Sequence, residues 1–223
     1  MRSAPRPSPN LPSVEKRNGQ KYAVLIDGSA LYLTARGFYE GRQLDYHALV
    51  NLLTSEITGL PPAAPGRSDN LWVMWTSASP QNAGQTRFLE FAENDLHWTV
   101  RRFNPVDSFM VEPATVLGLS SGASGRFVRF DARIAFAIGR LAEDHRIVVL
   151  TDSFALADPL LQASRLGAQP VLAFFGRGLD PRWQGVLRKA AKDTLEFIDL
   201  DDSEELLFGS KTKEVRTSDD VVF

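Results

Sequence analysis

A three-layer α/β/α sandwich around a mostly parallel sheet is the fold that this sequence predicts. Three observations predict it. The runs Tyr22–Ile26, Leu71–Trp75 and Ile147–Leu150 are continuously apolar, as suits strands covered on both faces. Other segments carry apolar residues at helical spacing, such as Leu49, Leu52, Leu53 and Ile57. The two kinds of segment alternate, which implies βαβ units with right-handed crossovers. With 223 residues, 43% hydrophobic and 23% charged, the chain has an ordinary globular composition and suits one domain with extensions better than two.

Taken in order, the strand at 22–26 leads to a short amphipathic stretch, Leu31–Ala35, and then a helix over Tyr46–Ile57. Pro61, Pro62, Pro65 and Gly66 mark a loop. The strand at 71–75 runs into Thr76–Ser79, and Pro80 suits the first turn of a helix reaching about Asp95, anchored by Phe88, Leu89 and Phe91. His97–Phe103 alternates like an outer strand. Asn104, Pro105, Pro113 and the Ser/Gly run at 120–125 then predict a loop or hairpin over about 104–128. Asp131–Glu143 reads as a helix with Ile134, Ile138 and Leu141 on one stripe, and the strand 147–150 follows. A helix over about 159–166, a strand over 170–175, a helix over 181–192 and a strand near 194–198 complete the series.

Charge is placed unevenly. Residues 1–21 carry Arg2, Arg6, Lys16, Arg17 and Lys21 against Glu15 and hold four prolines, so they read as a basic, disordered arm. The folded domain is expected over 22–200. Residues 201–223 read as an acidic tail, with Asp201, Asp202, Glu204, Glu205, Glu214, Asp219 and Asp220 outnumbering Lys211, Lys213 and Arg216.

Composition also excludes chemistry. The absence of cysteine rules out disulfides, zinc–thiolate sites and thiol nucleophiles, and His47, His97 and His145 have no ligand spacing. A formal charge of −2 points to no whole-molecule polyanion partner. There is no apolar leader and no 18-residue apolar stretch, so the chain reads as soluble and cytoplasmic, with no membrane contact expected.

The chemistry that remains belongs to aspartates. Asp27 ends one apolar strand and Asp152 follows another, and the carboxyl edge of a parallel sheet is where ligands bind. Asp131 opens its helix at three and seven residues from Ile134 and Ile138, on the inward stripe. Each of the three equally suits a helix cap or a favourable place at a helix dipole. Jointly they suit Mg²⁺ or Mn²⁺, which prefer carboxylate and water and assist phosphodiester chemistry without histidine or cysteine. Arg126 and Arg129 precede Asp131, Arg101 and Arg102 end the outer strand, and Arg177 and Arg182 flank a Gly-containing turn. Arginines in such places grip phosphates or are simply solvated.

The segment Ala23-Val-Leu-Ile-Asp27-Gly28-Ser29-Ala30-Leu31 resembles the opening motif of the NYN domain family of PIN-like nucleases. Phe130-Asp131-Ala-Arg-Ile-Ala-Phe136 is similar to the family's second motif, and Ile147-Val-Val-Leu-Thr151-Asp152-Ser153 with Asp158-Pro159-Leu-Leu to its third. The likeness spans about 22–200 in order and spacing. It implies a Rossmann-like, PIN-like sheet, cleavage of RNA, and Mg²⁺ or Mn²⁺ held by Asp27, Asp131 and Asp152. Ser29, Thr151, Arg126 and Arg129 would contact the RNA. Two positions depart from the pattern: the family's Asn falls on Ala30, and the second acid of its Asp-x-Asp pair falls on Phe154. Asp158 stands where it would replace that acid, or where it would cap a helix ahead of Pro159.

Two functions compete. One is a metal-dependent ribonuclease; the other is an RNA-binding or scaffold module that kept the fold and lost part of the site, as Ala30 and Phe154 suggest. A haloacid-dehalogenase-like phosphatase ranks below both, because Ser29 stands where that chemistry wants a second acid. The expected partner is RNA, and a homo-oligomer is compatible with all of these readings.

Overall fold

Every residue of β1 (Tyr22–Asp27) is buried, and its side chains alternate between two cores. Tyr22, Val24 and Ile26 face one, Ala23 and Leu25 the other. The computed structural model describes residues 21–39, 42–58, 70–77, 83–103, 111–113, 126–128, 130–190 and 194–209. The basic arm through residue 20, the proline loop at 61–66, Pro80 and Arg129 lie outside these.

Among the described residues, six strands form one parallel sheet in the order β3-β2-β1-β6-β7-β8. They are β1, β2 (Leu71–Ser77), β3 (Thr99–Phe103), β6 (Arg146–Leu150), β7 (Val171–Phe174) and β8 (Glu196–Asp199). The inner strands carry the continuous apolar runs. The outer strand β3 exposes Thr99, Arg101 and Arg102, the alternation that an edge strand tolerates. The excursion expected near 104–128 contains an antiparallel pair, β4 (Val111–Pro113) with β5 (Arg126–Val128).

Helices cover both faces. On the Tyr22–Val24–Ile26 face lie α1 (Gly28–Phe38), α2 (Tyr46–Thr58), α3 (Ala83–Asn94) and α7 (Glu204–Phe208), through Leu31, Leu49, Leu53, Leu89 and Leu207 among others. On the Ala23–Leu25 face lie α4 (Asp131–Leu141), α5 (Ala157–Arg165) and α6 (Arg182–Lys189), through Ile134, Ile138, Leu160 and Trp183. This is the three-layer, Rossmann-like sandwich that the apolar runs predict. No helix among the described residues is long and apolar enough to cross a membrane.

Chain order reverses between β1 and β6. From β1 the chain proceeds outward to β2 and β3; from β6 it proceeds the opposite way to β7 and β8. Helices after β1 and after β6 therefore pack on opposite faces, leaving a crevice beyond the carboxyl ends of these two strands. At the opposite edge the buried Arg146 guanidinium donates to the Ile57 carbonyl at 2.6 Å and pairs with Glu196 at 2.6 Å, tying α2 and β8 to the start of β6.

The segment read as an acidic tail is folded as far as Gly209. A 3-10 turn, Leu200–Ser203, leads into α7, and Leu200, Leu207 and Phe208 are buried. Phe208 stacks on Tyr39 with ring centroids 4.1 Å apart. The acids that mimic a solvated tail have partners: Glu204 pairs with Arg42 and Arg177, and Asp201 accepts from Arg177 and from the Tyr39 hydroxyl. Composition alone could not separate a charged tail from a helix whose charges are paired across the fold.

Truncating Leu207 to Ala should cost about 2–5 kcal/mol, read as a lower urea midpoint, because a fully buried side chain is lost. A true tail would show no change. The arginines beside Glu204 hold its carboxyl below the ordinary range, Arg177 most of all, then Arg42. Its contribution is therefore complete above the unfolded carboxylate pKa of about 4.5 and is lost as pH falls through the lower folded value. Glu204→Gln should accordingly lower the melting temperature at pH 7 and lose that deficit in acid.

Candidate functional site

The strand-to-helix step after β1 has no linker. Asp27 is the last strand residue and Gly28 the first of α1. The Asp27 carboxylate is buried, and its Oδ1 accepts the N–H groups of Ser29 at 3.1 Å and Ala30 at 3.0 Å. Asp27 is thus the N-cap of α1, which explains why the helix is longer than its short apolar stripe predicted. A Cβ on residue 28 would lie 2.9 Å from Met74 Sδ and 3.1 Å from the Trp75 carbonyl oxygen, so any larger residue would have to displace the Met74 side chain and crowd β2. The Ser29 hydroxyl is buried and has no hydrogen-bond partner among the described residues, a costly state for a polar group unless a ligand meets it.

The second strand–aspartate segment is built differently. After β6, Thr151 is fully buried and its Oγ1 accepts the Ser153 N–H at 3.1 Å. The Ser153 hydroxyl accepts the Ala155 N–H at 3.3 Å and caps the 3-10 turn Phe154–Leu156 that opens α5. Capping here falls to Ser153, not Asp152. The Asp152 carbonyl instead accepts Trp183 Nε1 at 3.3 Å and the Asp180 N–H at 3.4 Å, which pins this loop to the start of α6. The Thr151 hydroxyl thus accepts a hydrogen bond from the loop backbone and keeps its own O–H to donate.

Asp131 is the first residue of α4, behind a Phe130 N-cap that makes no side-chain cap. Phe130 is buried against Phe103 at the end of β3, with centroids 5.3 Å apart. α4 runs back across the sheet to β6, which puts its N-terminus at the carboxyl edge, and it packs on β1, α5 and the 154–156 turn. Asp27 and Asp152 thus stand on the ends of adjacent parallel strands at the chain reversal, with Asp131 on the same edge.

The other residues singled out from the sequence take the following places. Asp158 is the one exposed acid of the four, second in α5 behind a Leu156 N-cap, so it caps nothing and sits where a first-turn acid meets the helix dipole. Phe154, at the position of the family's second acid, packs edge-on against Trp183 at 5.5 Å and beneath Arg182 at 4.8 Å. Arg177, Arg182 and Arg102 are not offered to phosphates: they pair with Asp201 and Glu204, with Asp180, and with Glu93. Arg126 opens β5 opposite Pro113.

Among the described residues no three His, Asp or Glu converge as a metal-holding cluster. The described residues therefore build no closed carboxylate cage. Mg²⁺ commonly uses one or two carboxylates and completes its shell with water and substrate phosphate. Asp27 and Asp152 stand at the ends of neighbouring strands, and Ser29, whose hydroxyl has no partner among the described residues, follows Asp27 by two positions.

The sequence reading missed a cavity of about 510 Å³ beside this edge, between α1, α2 and α3. Gly28 and Thr76 form its inner end, and Tyr32, Arg36, Tyr46 and Phe88 line it. The one sequence signal was the spacing of Gly28, Tyr32, Ala35 and Arg36 along a single helix face. Burial, with the Tyr32 phenol as a lesser contribution, raises the Tyr46 hydroxyl pKa well above that of a free phenol.

A Vibrio parahaemolyticus protein of unknown function has a crystal structure similar to this chain, with a TM-score of 0.58, 16% identity, and 82% of this chain and 94% of that one covered. At that identity the likeness concerns the fold. No protein-family model matches the chain, and no curated protein does.

Removing the cap should be separable from removing the charge. Asp27→Ala is expected to cost about 1–2 kcal/mol in denaturant melts, and Asp27→Asn about 0.5 kcal/mol or less, because Asn caps nearly as well. Asp158→Asn, an exposed change, should shift stability by no more than about 0.5 kcal/mol and leave any activity intact.

Proposed function

We propose that this chain is a metal-dependent ribonuclease of the NYN, PIN-like kind, acting in the cytoplasm on RNA phosphodiester bonds. What supports the reading is that Asp27 and Asp152 follow adjacent strands at the point where the strand order reverses, and that the helix opened by Asp131 starts on the same edge. A divalent ion held there would neutralise a phosphate oxygen and acidify a water. Asp27 and Asp152 are its expected ligands, with Asp131 contributing charge from the helix N-terminus. The cap hydrogen bonds hold Asp27 rigidly in place, and the Ser29 hydroxyl is available to a substrate oxygen. Arg126 and Arg129, which closely precede Asp131 in sequence, would bring positive charge to the RNA.

A second reading has its own observation. Among the described residues no three acids form a metal-holding group, and Phe154 packs on Trp183 where the family has its second acid, both of which favour a module that binds RNA without cutting it.

Incubation of the purified chain with labelled single-stranded RNA decides between them. Cleavage in Mg²⁺ or Mn²⁺ should be abolished by EDTA, and Asp27→Asn or Asp131→Asn should each lower the rate by at least about a hundredfold. RNA retained intact with every divalent ion would move the assignment to the binding module.

A further inference from the structure

We propose that the cavity between α1, α2 and α3 is a nucleotide subsite, taking the base and phosphate of an RNA residue that flanks the bond cut at the aspartates. The inference rests on the RNA-directed reading above and adds where the strand is gripped. At about 510 Å³ the cavity has the size of small-molecule sites. Its inner end is Gly28, next in sequence to Asp27, and Thr76, one residue beyond the Trp75 that pairs with Asp27 in the sheet. Adjacent strands lie about 4.8 Å apart, so a strand of RNA leaving the aspartate edge meets this opening at once.

The lining is that of a base-and-phosphate site. Phe88 and Tyr46 form an aromatic wall with centroids 4.6 Å apart, while Tyr32 stands at the mouth 54% exposed, a large ring left in water. Aromatic faces stack any base, which is how single-stranded nucleic acid is held without reading its sequence. Arg36, one turn after Tyr32, is exposed; its hydrogen bond among the described residues goes to the Tyr32 hydroxyl at 3.4 Å, and no described carboxylate pairs with it. Arg42, across the same cavity, is committed to Glu204. Arg36 is therefore the cation placed to meet a phosphate, forked for two hydrogen bonds.

Calorimetric titration of the full chain with 5′-AMP, and with adenosine as the phosphate-free control, tests this. Wild type should bind both 5′-AMP and adenosine. Tyr32→Ala should weaken both ligands by about tenfold, whereas Arg36→Gln should weaken 5′-AMP by about tenfold and spare adenosine. Both side chains are exposed, and unchanged melting curves would confirm folding. If 5′-AMP fails to bind, or binds both variants as tightly as wild type, the subsite is wrong even if the protein cuts RNA. If binding follows the pattern but no RNA is cut, the subsite stands and the catalytic reading falls.

Discussion

One carboxylate oxygen organises the carboxyl edge of the sheet beside β1. Oδ1 of Asp27 takes two backbone N–H groups at the point where β1 becomes α1 without a linker. That turn is tight enough that α1 begins against β2, with Met74 and the Trp75 carbonyl crowding any side chain at residue 28. The direction of α1 follows, and with it the positions of Ser29, Tyr32 and Arg36. A substitution at Asp27 or Gly28 therefore acts on the fold and on the cavity lining together. Asparagine at residue 27 is the informative change because it keeps the cap and removes the charge.

The two strand–aspartate segments look alike in sequence and differ physically. At β1 the aspartate is the cap. At β6 the cap passes to Ser153, Thr151 steadies the loop, and the Asp152 backbone is held from α6. Capping therefore fixes the Asp27 carboxylate in direction, whereas at Asp152 it is the backbone carbonyl that the fold holds.

Arginines that seem free in sequence are consumed by the fold. Arg177 and Arg42 bind the acids of the last helix and sit over the Tyr39 ring, at 4.8 Å and 5.8 Å from its centroid, so the acidic C-terminal segment is a clasp over α1. Isolated surface ion pairs are weak, but here they accompany the burial of Leu207 and Phe208, which supplies most of the stabilisation. The clasp also closes one end of the cavity, through Arg42.

The apolar runs and helical stripes determined the layer order, because a strand covered on both faces and a helix with one apolar face each have few ways to bury themselves. The alternation along 97–103 likewise identified an outer strand, since only an edge tolerates exposed Arg101 and Arg102. The three aspartates were legible as residues at strand and helix ends. Their roles were not: whether Asp27, Ser153 or Asp158 caps a helix depends on which backbone N–H groups a turn brings within about 3 Å, which is a matter of conformation. Nor could composition show that residues 200–208 are folded, because pairing of Asp201 and Glu204 with Arg177 joins positions far apart in the chain. The cavity arises from the gap between α1 and α3, two helices on one face of the sheet. Only tertiary packing sets that distance, because it depends on how closely Gly28 lets α1 approach β2.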